Sequence, residues 1–141
     1  MKIATSKTET LTLSIMHLEG AIDGSNYKNL IEEAHKLYAS GIRNLIMDLS
    51  KLTFISSAGL GALHQVALEF RGKEHAEKEE NWSSYRWSAF RTTGGEQQHS
   101  LETHVKLFSP SKEVMEVLDM IGFTSVFEIF TDLNQAISSF Q

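Results

Sequence analysis

Asn44-Leu45-Ile46-Met47-Asp48-Leu49 is the stretch that decides the fold. A short, nearly continuous apolar run suits a strand covered on both faces, and so a sheet with helices packed against it. Before it, Tyr27, Leu30, Ile31, Ala34, Leu37 and Tyr38 recur at helical spacing and form one apolar face. Ser25 or Asn26 can cap that helix, and Gly41 fits its stop. After it, Ser50 to Ser57 reads as a loop. Leu60, Leu63, Val66, Ala67 and Phe70 then line one face of a second helix.

The same reading extends to both ends. From Thr10 to Leu18, Leu11, Leu13 and Ile15 alternate with Thr12, Ser14 and Met16, which is strand period. A shorter strand over Lys2 to Ser6 precedes it, with Thr8-Glu9 at the hairpin tip. Towards the C-terminus, Val105 to Phe108 is a short strand closed by Ser109-Pro110. Ser111 caps a helix with Val114, Val117, Leu118 and Ile121 inward, and Gly122 stops it. Val126 to Phe130 is a final strand. Thr131 or Asp132 caps a last helix with Leu133, Ala136, Ile137 and Phe140 inward. Between residues 71 and 104 helical periodicity weakens. A structureless connection of that length is unusual inside a compact domain, so 71–104 reads as an insertion within one domain spanning 1–141. The alternation of helix and strand implies parallel strands joined by right-handed crossovers. The expected product is a mixed, mainly parallel α/β sheet of about five strands with about four helices and an antiparallel N-terminal edge.

Composition narrows the function. The chain has 141 residues, with 13 basic and 18 acidic side chains, a formal charge of −5. That mild acidity argues against binding a phosphate backbone as the main task. Cysteine is absent, which removes disulfides, thiolate nucleophiles and cysteine zinc sites. No apolar run approaches the ~20 residues of a membrane span. Met1 to Lys7 has no apolar secretion core. The expectation is a cytoplasmic protein with neither membrane nor nucleic acid as partner.

In open α/β sheets, ligands and chemistry collect beyond the C-terminal strand ends. Here that position holds Phe54-Ile55-Ser56-Ser57-Ala58-Gly59-Leu60-Gly61-Ala62-Leu63. Ala58, Gly59 and Gly61 are small enough for another backbone to approach closely. A phosphate on Ser57 would meet free N–H groups and the positive end of the helix dipole. It would also add roughly −1.5 to −2 charges to a flat surface. A switch suits this chemistry, with serine binding a partner and phosphoserine refusing it. A plain helix cap, worth ~1 kcal/mol, explains Ser56 or Ser57 too, and periodicity alone favours the cap.

Resemblance shifts that balance. Asp48-Leu49-Ser50-Lys51-Leu52-Thr53-Phe54-Ile55-Ser56-Ser57-Ala58-Gly59-Leu60 resembles the signature of STAS domains, the family of the anti-sigma factor antagonists. Glu19-Gly20-Ala21-Ile22-Asp23 is similar to the family's G-x-hydrophobic-D segment. Gly122-Phe123-Thr124-Ser125-Val126-Phe127 is similar to its helix-to-strand turn. The resemblance implies a STAS-type fold and a bacterial partner-switching role in transcription regulation. The implied partner is an anti-sigma factor that is also a serine kinase, with a PP2C-type phosphatase reversing its action. Ser57 matches the phosphorylated serine. Ser56, Ala58, Gly59 and Gly61, with Asp23 nearby, match the partner-binding surface. Neither a cofactor nor a metal is implied, nor enzyme activity. Two departures stand out. Many phosphorylated antagonists carry Asp where this chain has Ser56, which makes Ser56 the alternative acceptor. Most short antagonists also lack an insertion like 71–104.

Other features carry less. His17, His35, His64, His75, His99 and His104 show no helical zinc spacing and read as exposed, non-coordinating side chains. Trp82, Tyr85, Trp87 and Phe90 pack the insertion onto the domain or dock a partner. Arg86 and Arg91 make only a weak nucleic-acid patch among acidic neighbours. The run Lys73 to Glu80 reads as a solvated helix face. Thr93-Gly94-Gly95-Glu96 is too short and wrongly placed for a phosphate loop. Ser57 lacks the glycine of a nucleophile elbow, and no spacing marks a His or Asp as its base. Two rival functions remain: a non-phosphorylated STAS scaffold in a sensory or lipid-transport complex, or a nucleotide or small-ligand binder.

Overall fold

Five strands lie side by side in chain order: β1 (Lys2–Lys7), β2 (Leu13–Ile22), β3 (Asn44–Ile55), β4 (Val105–Phe108) and β5 (Ile129–Phe130). The computed structural model describes residues 1–72 and 102–140. β1 runs antiparallel to β2, and the other neighbours are parallel. Four helices accompany the sheet among the described residues: α1 (Tyr27–Ala39), α2 (Ser57–Arg71), α3 (Lys112–Met120) and α4 (Leu133–Ser138). This is the mixed α/β sheet with an antiparallel N-terminal edge that the sequence leads one to expect.

The two faces are covered unequally. Met16, Leu18, Leu45, Met47, Leu49, Val105 and Leu107 point to the face carrying α1, α2 and α3, where they meet Leu30, Ala34, Leu63, Val66, Val114 and Leu118. The opposite face holds a smaller cluster of Leu13, Ile15 and Ile46 under Ala136, Leu133 and Ile137 of the short helix α4. β2 and the first half of β3 are therefore buried on both sides, which is why the run at 44–49 carries almost no polar residues.

The helix ends largely follow their sequence signals. Ser111 accepts the Val114 N–H at 3.2 Å, and Asp132 accepts the Gln135 N–H at 3.1 Å. Gly122 takes a φ of 87°, where a side chain would be strained, and turns the chain out of α3. Asn26 occupies the cap position of α1 but does not cap it. Its side chain instead accepts the Asp23 N–H and donates to the Ala21 carbonyl, stitching the loop ahead of the helix.

Three strand boundaries differ from the sequence expectation. β2 begins at Leu13 rather than Thr10, and Leu11 lies 92% exposed in the turn. That turn needs no glycine because the Thr8 hydroxyl donates to the Thr10 and Leu13 carbonyls. β3 continues through the expected loop to Ile55, because β2 runs alongside it as far as Ile22. The last strand is only Ile129–Phe130. Val126 and Phe127 follow a 3-10 turn at Phe123–Ser125 and fill the core instead, with the Phe127 ring edge-on to Phe123.

α2 stops at Arg71, and the expected insertion falls almost wholly on residues outside those described. So do Trp82, Tyr85, Trp87, Phe90, His75 and His99. The described flanks of that connection are joined to each other. Arg71 Nε donates to Glu102 Oε1 at 2.7 Å, and the Glu102 side chain is 1% exposed. The other Glu102 oxygen accepts the His104 N–H, and the Glu102 N–H donates to the Val126 carbonyl.

The histidines depart from the expectation of simple exposure. His35 is exposed and faces Glu69. His104 is half-buried and meets Asn44, while His17 is half-buried between Ser6 and Asp48.

Candidate functional site

The candidate site begins where β2 and β3 end together. Ile22 and Ile55 are in register, so Asp23 and Ser56 leave the sheet side by side. The Ser56 N–H donates to the Ile22 carbonyl at 2.9 Å, tying the start of α2 to the end of β2.

The route of β3 to that point is irregular. Its inward residues are Leu45, Met47, Leu49, Leu52 and Ile55, at spacings of two, two, three and three. The pairing with β2 shifts between His17 and Glu19, and again between Gly20 and Ala21. Each shift places one extra residue on β3, which is a β-bulge. The second bulge turns Thr53 and Phe54 outward. The Thr53 hydroxyl donates to the Gly20 carbonyl, and Phe54 stands 53% exposed. A large apolar ring in solvent beside the helix start is the feature the sequence reading missed. Phe54 belongs to the motif, but without the bulges nothing in the sequence indicates which way it points.

The two serines separate cleanly. Ser56 is the N-cap of α2, and its hydroxyl accepts the Gly59 N–H at 3.2 Å. Its carbonyl accepts the Leu60 N–H. Ser57, the first helical residue, is exposed, and its hydroxyl has no hydrogen-bond partner among the described residues. The first N–H groups of a helix have no partner within it, so the positive end of α2 lies at Ser57.

The small residues occupy different levels. Ala58 is half-buried at the rim, whereas Gly59 and Gly61 are buried. A Cβ on Gly59 would lie 2.7 Å from Ile55 Cγ1 and 2.9 Å from Ile22 Cγ2. Gly59 thus faces the sheet and lets α2 settle onto the strand ends. The expectation that Gly59 and Gly61 line the docking surface therefore meets a geometry in which Gly59 shapes that surface from beneath and Gly61 is buried. Asp23 sits at the edge and is engaged within its own loop. Its carboxylate accepts from the Ser25 hydroxyl at 2.6 Å and the Ser25 N–H at 2.9 Å, which hold its pKa below the ordinary value.

A family model for the STAS domain matches residues 3–75, which contain every residue just described. The chain belongs to the STAS family. Solved structures agree at the level of fold. A Thermotoga maritima protein classed as an anti-sigma factor antagonist superposes with a TM-score of 0.67 at 12% identity, covering 96% of this chain and 92% of that one. An anti-sigma factor antagonist of Mycobacterium paratuberculosis gives 0.63 at 17% identity, over 98% and 93%. The Bacillus cell-fate determinant SpoIIAA in its phosphorylated form gives 0.59 at 13% identity, over 99% and 100%. No curated protein matches the sequence. Among the described residues of this STAS domain, no helix is long and apolar enough to cross a membrane, and no group of acidic or histidine side chains is placed to hold a metal ion.

Proposed function

We propose that this STAS domain is an anti-sigma factor antagonist that binds a serine-kinase anti-sigma factor and loses that binding when Ser57 is phosphorylated. The observation that carries the proposal is the division of labour between the serines. Ser56 caps α2, which leaves the Ser57 hydroxyl exposed and without a structural duty among the described residues. Phe54 and Ala58 beside it offer apolar contact to a partner, and Gly59 keeps the surface low. A phosphate there would put about −1.5 to −2 charges into a contact that depends on excluding water. A PP2C-type phosphatase would reverse the change. Ser56 is the poorer acceptor because its oxygen is already held by the Gly59 N–H. The structural neighbour SpoIIAA, which exists in a phosphorylated form, is consistent with this reading. At Ser57 the domain acts as a binding surface and not as an enzyme.

The test is a pull-down from the native cell with wild-type, Ser57→Ala and Ser57→Asp baits. Wild type and Ser57→Ala are expected to capture a kinase-type anti-sigma factor, and Ser57→Asp to lose it. Equal capture of another assembly by all three baits would make the domain a scaffold.

A further inference from the structure

Ser6, His17 and Asp48 stand on three adjacent strands, β1, β2 and β3. Ser6 Oγ lies 2.8 Å from His17 Nε2, and His17 Nδ1 lies 2.6 Å from Asp48 Oδ2. His17 and Asp48 are registered partners across the parallel pair. Ser6 pairs with Ile15, which puts it diagonally beside His17 on the same face. Three distant positions in sequence therefore meet through strand register alone.

The chemistry of the trio has a direction. The Asp48 side chain is 14% exposed, and its other oxygen accepts the Ser50 N–H at 3.0 Å, so the carboxylate is fixed at both ends. An ionised carboxylate only accepts, so Nδ1 of His17 carries a proton. In the neutral ring Nε2 then holds the lone pair, and the Ser6 hydroxyl donates to it. Nucleophile, base and orienting carboxylate stand in the order that nucleophilic catalysis requires. The imidazole also reaches an open hollow of about 450 Å³, whose walls include Lys2, Glu19 and Lys51.

We infer that Ser6 is a nucleophile that takes the acyl group of small activated esters and thioesters, with His17 as its base and Asp48 as a positioning residue. Ser6 Oγ bonds to the acyl carbon while its proton passes to His17 Nε2. The bond from that carbon to the leaving oxygen or sulfur then breaks, and the leaving group takes the proton from His17. Water repeats the sequence and returns free Ser6 and a carboxylic acid. This site lies outside the Ser57 surface and stands independently of its reading.

The test treats the full chain with p-nitrophenyl acetate, follows p-nitrophenolate, and maps the acetyl group by peptide mass. Acetylation of Ser6 is expected, lost in Ser6→Ala and slowed about 100-fold in His17→Gln. Asp48→Asn is expected to slow the wild-type reaction but to add nothing in the His17→Gln background, because it acts only through that ring. Ser6→Cys keeps the size of the side chain, introduces the chain's only thiol, and is expected to be acylated faster. Acetyl groups confined to lysines, an unchanged rate in Ser6→Ala, or an additive loss from Asp48→Asn would overturn the inference.

Discussion

The Ser56 hydroxyl accepts the Gly59 N–H, and the Gly59 α-carbon in turn rests against the strand ends with no room for a methyl group. Cap and close approach therefore occupy one turn of α2, and they fix where Ser57 faces outward.

Ser56→Ala is expected to destabilise the domain by ~1 kcal/mol, the usual worth of an N-cap. Ser57→Ala is expected to stay within ~0.5 kcal/mol of wild type, as an exposed substitution whose hydroxyl makes no cap hydrogen bond. Urea unfolding of the two variants checks the division of roles. Equal losses would mean that the serines share the cap.

Gly59→Ala tests the close approach. In a helix exposed to solvent, alanine would gain about 1 kcal/mol over glycine. Here the added methyl meets Ile55 and Ile22, whose branched side chains move little. A net loss of ~1–3 kcal/mol is expected, measured by denaturant midpoint. Stabilisation would show that α2 can lift from the sheet.

Phe54→Ser removes an exposed ring from the proposed partner surface. Unfolding free energy is expected to change by less than about 0.5 kcal/mol. Partner affinity is expected to fall by about tenfold or more, which corresponds to ~1.4 kcal/mol. Calorimetric titration with the captured partner reads the second quantity.

Asp48 gives the fold an acid limit. Burial pushes its pKa up, but the Ser50 N–H, the His17 hydrogen bond, the Ser50 hydroxyl and the imidazole charge together hold it below its ordinary 3.8. The folded state then binds fewer protons than the unfolded chain between the two values. The resulting stability is full above the unfolded value and is lost as pH falls through the folded one. Asp48→Asn is expected to flatten the fall in urea midpoint measured between about pH 5 and pH 2. An unchanged slope would assign the acid limit to other carboxylates.

Arg71→Leu removes the cation that the buried Glu102 meets among the described residues. The expected loss lies below the ~3–5 kcal/mol of a fully buried pair, because Arg71 itself is partly exposed. The double variant Arg71→Leu/Glu102→Leu is expected to recover part of it. Thermal unfolding of the single and double variants decides the matter.

The architecture was legible because its signals were local. Apolar spacing at Tyr27–Tyr38 and Leu60–Phe70 marked the two helices that cover the main face, and Ser111, Asp132 and Gly122 marked ends that the structure repeats. Strand extents were less legible. Two bulges break the period of two after Leu49, so Ser50 to Ile55 looked like a loop. Val126-Phe127 has strand composition but is claimed by the core. For the site, the motif located Asp23 and the paired serines, yet it could not say which serine caps α2 or that Gly59 faces inward. Those facts depend on the Ser56–Ile22 hydrogen bond and on the contacts of Gly59 with two isoleucines. The meeting of Ser6, His17 and Asp48 left no trace in spacing, because strand pairing creates it.

The two offsets between β2 and β3 also work as a vernier. β2 spans 10 residues from Leu13 to Ile22 and β3 spans 12 from Asn44 to Ile55, yet both strands begin and finish level. Two surplus residues leave the parity of the strand intact, whereas one would reverse it. A single deletion between Ser50 and Phe54 would leave the chain one residue short of the anchor at the Ile22 carbonyl. Ser57 would be drawn into the cap, and the next residue outward would be Ala58, which has no hydroxyl. The identity of the outward serine is thus set by a count kept in the sheet, several residues before the helix begins.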